Sequence, residues 1–275
     1  MQLFRQKTAV KSFENAAEFA KEFCIGSKDF MLISRRVYEK YFAHLGLECH
    51  VEFKSKYGTS EPTDIMMDAL IKDFKQSGCS RIIAIGGGGV IDMAKVLVLK
   101  DAQCTEDIFM RRVPIIKEHE LIAVPTTCGA GSEVSSVSIT SITSRSTKLG
   151  LADEAIFPDC AVLIPEFLEE MPYEVFATSA IDALIHAAES YLSPKASPYT
   201  ELFSLEAIRL IISGFTKVLA EGESARMALL SDFLMASNMA GIAFANAGTG
   251  AVHAMSYPLS GKYHVTHGEA NYQFF

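Results

Sequence analysis

Four short runs, at 30–33, 81–85, 121–124 and 161–164, are rich in Ile, Leu, Val, Met and Phe and scarcely broken by polar residues. A strand covered on both faces carries this pattern, because the apolar/polar alternation of a half-solvated strand disappears when neither face meets water. Between the first two runs, residues 64–76 place Ile65, Met66, Ala69, Leu70 and Phe74 at helical spacing. Strand and helix signals alternating in this way predict βαβ units, a mostly parallel sheet and right-handed crossovers. After Pro165 the strand signals stop, and helical periodicity takes over at about 178–192, 198–219, 224–245 and 247–257. The fold expected is an α/β domain over residues 1–165 followed by an all-α domain over residues 166–275.

Composition narrows the classes of function. With 49% hydrophobic and 21% charged residues, the 275-residue chain has enough apolar surface for one large core or two smaller ones, and a disordered chain is excluded. Twenty-five Lys and Arg against 33 Asp and Glu give a net charge of −8 and leave no basic stripe for a phosphate backbone, so no nucleic-acid partner is expected. The opening residues, Met1 to Lys7, lack the apolar block of a secretory signal, and the six cysteines stand singly with no C-x-x-C pair. Both features suit a cytoplasmic protein with free thiols. No Asp, Glu, Lys or Arg occurs in 233–261, a length that would suit a membrane span. Asn238, Asn246, Thr249, His253 and Ser256 interrupt it, so the prediction is a buried helical segment lining something polar, and no membrane partner. The chain closes on Asn271-Tyr272-Gln273-Phe274-Phe275, without a capping glycine or a polar tail, which reads as an interruption of the helical domain.

Two glycine-rich turns carry the first candidate chemistry. The run 81–85 leads into Gly86-Gly87-Gly88-Gly89-Val90-Ile91-Asp92-Met93-Ala94-Lys95. Four residues without Cβ atoms let backbone amides approach an anion at the positive end of the following helix, as a pyrophosphate cradle requires. The dinucleotide pattern G-x-G-x-x-G is not met, because Ile91 takes its third glycine position, and no P-loop lysine follows. The run 121–124 leads into Pro125-Thr126-Thr127-Cys128-Gly129-Ala130-Gly131-Ser132-Glu133, where Thr126, Thr127 and Ser132 offer hydroxyls to a nucleotide. Two such turns at strand C-termini fit ligand placement in open α/β sheets.

The helical half carries the second. Asp182 and His186 are four residues apart in a helical pattern, so carboxylate and imidazole share one face one turn apart. His253 and His267 flank the break at Tyr257-Pro258-Leu259-Ser260-Gly261 and can converge on the same place. An Asp with three His is a suitable ligand set for Fe²⁺, with Zn²⁺ as the alternative.

With these residues together, the sequence resembles the iron-containing alcohol dehydrogenase family, within the wider group that includes glycerol dehydrogenase and dehydroquinate synthase. The likeness runs through 86–95, 125–133, Asp182 to His186 with Glu189, and His253 followed by His267-Gly268. It implies a dehydroquinate synthase-like fold whose all-α part is incomplete here, and an NAD(P)-dependent oxidoreductase acting on a primary alcohol and its aldehyde. The expected substrate pair is 4-hydroxybutyrate and succinate semialdehyde; another alcohol dehydrogenase or a 1,3-propanediol-type dehydrogenase of the same family, a lyase of the dehydroquinate synthase kind, or an inactive fragment that binds nucleotide without turnover are the alternatives. The resemblance assigns the cofactor to Gly86, Gly87, Gly88, Gly89, Asp92, Thr126, Thr127, Ser132 and Lys148, and the metal to Asp182, His186, His253 and His267. Solvent on the metal or Tyr257 is expected to pass the proton, with Lys262 and His264 as cationic partners for a substrate carboxylate, and a homodimer is expected if the chain is complete. The family usually has Ser where Gly89 stands and Thr where Ala130 stands, which removes two hydroxyls. NAD is the expected cofactor, with NADP as the alternative because Ser34-Arg35-Arg36 follows the run 30–33 where many NAD-specific members carry an Asp.

Overall fold

The structure, a computed structural model, describes residues 2–263, 265 and 267–275, with the backbone alone at Tyr257, Pro258, Ser260 and Lys262. The chain divides into two compact units. One is Lys7–Thr126 with Ser136–Ile164, the α/β unit; the other is Met1–Gln6, Thr127–Ser135 and Pro165–Phe275, the helical unit.

In the α/β unit the strands are β1 (Ala9–Ser12), β2 (Asp29–Ile33), β3 (His50–Phe53), β4 (Arg81–Gly86), β5 (Glu120–Pro125), β6 (Val137–Ile142), β7 (Thr147–Ala152) and β8 (Cys160–Leu163). Its helices are α1 (Ala16–Glu22), α2 (Arg35–Tyr41), α3 (Asp64–Ser77), α4 (Gly88–Lys95) and α5 (Thr105–Phe109). Six strands form one sheet in the order β1-β8-β5-β4-β2-β3, parallel at every pairing. The four apolar runs are its interior strands. Phe30 to Ile33, Ile82 to Ile85 and Leu121 to Val124 have no exposed surface, which is why they carry no alternation. Each Val, Leu, Ile, Met or Phe among them contributes about 1.5–3 kcal/mol by leaving water. β1 and β3 lie at the two edges, where solvent reaches them. β6 and β7 form a separate antiparallel hairpin that turns Ile142 and Leu151 into the core under α3 and α4. Thr63 caps α3 by accepting the Met66 amide, and Gly78, at φ +67°, ends it.

The helical unit holds α6 (Tyr173–Leu192), α7 (Pro198–Glu221), α8 (Leu230–Ala247), α9 (Ala251–Tyr263) and α10 (His267–Tyr272). Ser197 and Thr200 form a capping box at the start of α7, with Pro198 in its first turn. α6, α7 and α8 pack on one another around Phe176, Phe215 and Phe233, the rings of Phe176 and Phe233 meeting edge to face at 4.7 Å. The segment Glu223–Ala247 is long and apolar enough to cross a membrane, yet over half of it is buried inside the unit, so α8 is a core helix.

Two segments of the first 165 residues belong with the helical unit. The Arg5 amide donates to Asn246 Oδ1 at 2.6 Å, Asn246 Nδ2 donates to the Arg5 carbonyl at 2.9 Å, and Ser197 Oγ donates to the Leu3 carbonyl at 2.8 Å. Thr127–Ser135 is held to α8, where Asn238 donates to Glu133 Oε1 at 2.9 Å and the backbones of Gly131 and Gly241 touch.

Candidate metal centre and nucleotide loops

The helical unit brings Asp182, His186, His253 and His267 together, each offering one ligand atom, with all of these atoms within 4.8 Å of one another. α6 supplies Asp182 and His186, α9 supplies His253, and α10 begins on His267. Asp182, His186 and His253 are at most 5% exposed. Polar groups buried so deeply destabilise a core unless they are paired or hold an ion. His253 Nδ1 lies 2.6 Å from Glu189 Oε2, and His186 Nδ1 lies 3.3 Å from the Gly129 carbonyl. Each contact takes the Nδ1 proton and leaves the Nε2 lone pair available, the usual way in which a ligating imidazole is oriented.

Electrostatics agree with that role. Burial, reinforced by the neighbouring His267, pushes His186 down to about 3; burial and the nearby His186 push His253 down to about 4, against the opposing pull of Asp182 and Glu189. Both imidazoles are therefore neutral donors at pH 7. Burial raises the Glu189 carboxyl, but the amides of Gly250 at 2.8 Å and Val252 at 2.5 Å, with His253, bring it below its ordinary value overall. Glu189 thus stays an anion that fixes the start of α9 as well as the His253 ring. Phe244 stacks on His186 at 4.6 Å between ring centroids and closes one side of the cluster.

The donor chemistry fits a divalent cation: three imidazoles and one carboxylate, largely buried, with two imidazoles held by outer partners. Glu189 had no assigned role in the sequence, nor had the buried Asn271. Both sit at helical spacing from predicted ligands, Glu189 three residues beyond His186 and Asn271 four beyond His267.

In the α/β unit, Gly86 ends β4 and Gly87 is the N-cap of α4, with Gly88 and Gly89 in its first turn. A Cβ on Gly86 would lie 2.5 Å from Val90 Cβ, so the turn requires glycine there. A Cβ on Gly89 would lie 3.1 Å from Pro62 Cδ, so the absent serine hydroxyl coincides with a close packing of Pro62 on α4. Thr126 donates its amide to the Gly86 carbonyl at 3.0 Å, which sets the C-terminal ends of β4 and β5 side by side. Asp92 accepts from the Ile139 amide at 3.0 Å and lies 3.4 Å from the buried Lys95 Nζ, fastening α4 to β6. Lys148, on β7, is 2.5 Å from Glu61. Arg35 lies over the Phe53 ring at 4.1 Å and 3.7 Å from Glu39. Thr127 and Ser132 belong to the helical unit. The side chains of Tyr257 and Lys262, and the whole of His264, lie outside the described residues.

A parallel sheet with a glycine turn at the head of α4, together with an Asp-His₃ cluster among buried helices, is the combination found in metal-dependent alcohol dehydrogenases. The chain belongs to the iron-containing alcohol dehydrogenase family: the profile described as iron-containing alcohol dehydrogenase matches residues 2–165, and that of the family's C-terminal part matches residues 176–275. Among individual relatives, it is 47% identical over 275 residues to 4-hydroxybutyrate dehydrogenase of Clostridium kluyveri, covering all of this chain and 74% of that protein. The iron-containing alcohol dehydrogenase of Thermococcus thioreducens superposes with a TM-score of 0.82 at 29% identity, over 99% of this chain and 74% of the other. Sulfoacetaldehyde reductase from Bifidobacterium kashiwanohense, solved in complex with NAD⁺, superposes with a TM-score of 0.85 over 98% of this chain and 74% of that one; at 23% identity this likeness concerns the fold.

Proposed function

We propose that this chain catalyses reversible hydride transfer between NAD and a primary alcohol, with 4-hydroxybutyrate and succinate semialdehyde as its preferred pair. The observation that carries the reading is the largely buried Asp182-His186-His253-His267 cluster, in a chain 47% identical along its whole length to a 4-hydroxybutyrate dehydrogenase. A divalent cation held there, Fe²⁺ or Zn²⁺, supplies Lewis-acid polarisation of an alcohol or carbonyl oxygen, and the nicotinamide supplies the hydride acceptor.

The chain's own residues set the conditions for that chemistry. Asp182 contributes the one formal negative charge of the donor set, since the imidazoles of His186 and His253 are neutral; the set therefore neutralises a dication only in part. Glu189 and the Gly129 carbonyl keep the two rings in one tautomer. Phe244 covers the His186 side of the cluster, and the apolar ring strengthens charge interactions on that side. In the α/β unit, the amides at the start of α4 are available for a pyrophosphate. NAD is the cofactor of this reading, with NADP the alternative, because Arg35 is exposed beside Phe53 with its N–H edges open to a 2′-phosphate.

The test is a spectrophotometric assay of NAD⁺ reduction by metal-loaded protein with 4-hydroxybutyrate, butanol and 1,3-propanediol. Metal-dependent turnover with kcat/KM highest for 4-hydroxybutyrate is expected. Equal kcat/KM for butanol would remove the substrate assignment, and metal binding without turnover on any alcohol would remove the activity.

A further inference from the structure

The loop after β5 has two faces. Thr127 and Ala130 are partly open to solvent, whereas Cys128, Gly129 and 131–135 are buried. The open face carries the Thr127 hydroxyl, and the buried face is clamped by two helices. A Cβ on Gly129 would lie 2.7 Å from the Ser179 carbonyl oxygen on α6, and the Gly129 carbonyl accepts from His186 Nδ1. From Gly131 onward the loop meets one face of α8, along which Asn238, Gly241 and Phe244 follow at intervals of three. Asn238 donates to Glu133 Oε1 at 2.9 Å with both side chains 2% exposed, Gly241 meets Gly131, and Phe244 stacks on His186. His186 is thus held by the loop and by the same face of α8 that holds the loop. A carboxylate brought so far out of water destabilises the fold unless its partners satisfy it, and an apolar side chain of similar volume would serve packing better than Glu133 does.

We infer that Glu133 and Asn238 are positioning residues that couple nucleotide binding to cation binding, by pinning the loop so that its Gly129 carbonyl meets the His186 ring. The inference rests on the metal-site reading above and on a nucleotide reaching the Thr127 hydroxyl. A cation at the cluster uses the His186 Nε2 lone pair and so selects the ring orientation in which Nδ1–H points at Gly129. A nucleotide on Thr127, two residues earlier, selects the loop position in which that carbonyl is in place. Each ligand favours the arrangement the other needs, so each tightens the other's binding by the same factor. The link between them has little room to yield, because Gly129 against Ser179 and Gly131 against Gly241 are contacts of backbone on backbone. Without the Glu133–Asn238 bond, the 3₁₀ turn Ser132–Val134 loses a side-chain tie to α8, and the loop shifts without carrying His186 with it.

The experiment titrates Co²⁺ into native protein with and without saturating ADP-ribose, following the visible absorption of the bound ion. ADP-ribose keeps the nucleotide and lacks the charged nicotinamide ring, so its effect on the cation passes through the protein. In native protein ADP-ribose is expected to lower the Co²⁺ Kd about fivefold or more, and saturating Co²⁺ to lower the ADP-ribose Kd by the same factor. Asn238→Leu, of the same branching and without the donor, is expected to bring both factors below about twofold. Glu133→Gln, which keeps an acceptor oxygen for Asn238, retains them. Phe215→Leu is the control: it loosens the ring packing on Phe176 and Phe233 and lowers the urea midpoint, yet leaves the coupling as in native protein. Coupling retained in Asn238→Leu would overturn the inference. So would its loss in Phe215→Leu, because coupling would then follow stability and not the loop. Should Asn238→Leu fold differently by far-UV circular dichroism, Glu133→Met/Asn238→Leu, which removes both partners, takes its place. Native protein that binds both ligands without coupling overturns this inference alone, whereas native protein that fails to bind Co²⁺ or ADP-ribose overturns the site reading together with it.

Discussion

Glu189 makes three contacts that a neutral amide could not all keep: the Gly250 and Val252 amides and His253 Nδ1. Replacing it by Gln leaves one acceptor oxygen and turns an NH₂ toward at least one donor. Glu189→Gln is expected to weaken metal binding by about 10–100-fold, measured by competition with a chromophoric chelator, while the far-UV spectrum changes little. The four residues themselves were legible in the sequence, because Asp182 and His186 share a helix face at i, i+4; the break expected at 257–261 is not there, since α9 runs on through Pro258 to Tyr263, and the chain brings His267 back only after that. Glu189 and Asn271 share helix faces with predicted ligands too, at Glu189/His186 and Asn271/His267. Their roles stayed hidden because Glu189 acts on α9 and Asn271 reaches α6 and α9, contacts that no local spacing encodes.

At the scale of elements, the interior strands β2, β4, β5 and β8 could be read from continuous apolar runs, and α6, α7 and α8 from helical periodicity. β1, β3 and the β6–β7 hairpin could not. β1 is exposed along its length, and β6 alternates half-buried with buried positions, so neither makes a continuous run. The loop after β5 was expected to serve a nucleotide through its hydroxyls; it is also a structural part of the helical unit. Gly129 presents its carbonyl to His186, and Gly131 meets Gly241 so closely that a Cβ on Gly131 would lie 2.4 Å from the Gly241 Cα. Gly131 also sits at φ +59°, which an alanine adopts only with strain. Backbone on both sides cannot yield as a side chain would. Gly131→Ala should destabilise the protein by about 2–4 kcal/mol, combining overpacking with the positive-φ cost. Gly241→Ala should fall in the same range, with its Cβ 2.7 Å from the Gly131 Cα. Urea unfolding measures both, and an unchanged midpoint in either variant would contradict the close approach.

Over the whole molecule, two units with separate cores share one chain, and the cluster lies wholly in one of them. A cation bound only by the folded state stabilises the helical unit by mass action, about 2.7 kcal/mol at a hundredfold excess over Kd. Metal addition should therefore raise Tm by roughly 5–10 °C in calorimetry, and a chelator should reverse it. No shift would mean that the cluster holds no ion in the folded state. The contact between Gly131 and Gly241 has one more consequence, which concerns the order of events on the ribosome. Gly241 follows Gly131 by 110 residues (241 − 131). At about 5–20 residues per second, the loop after β5 waits roughly 5–20 s for its partner helix to be made. The nascent sheet can pair through β8 in that time, but the carbonyl of Gly129 has no histidine to hold until α6 emerges. The metal centre thus assembles only after every strand of the sheet has been made.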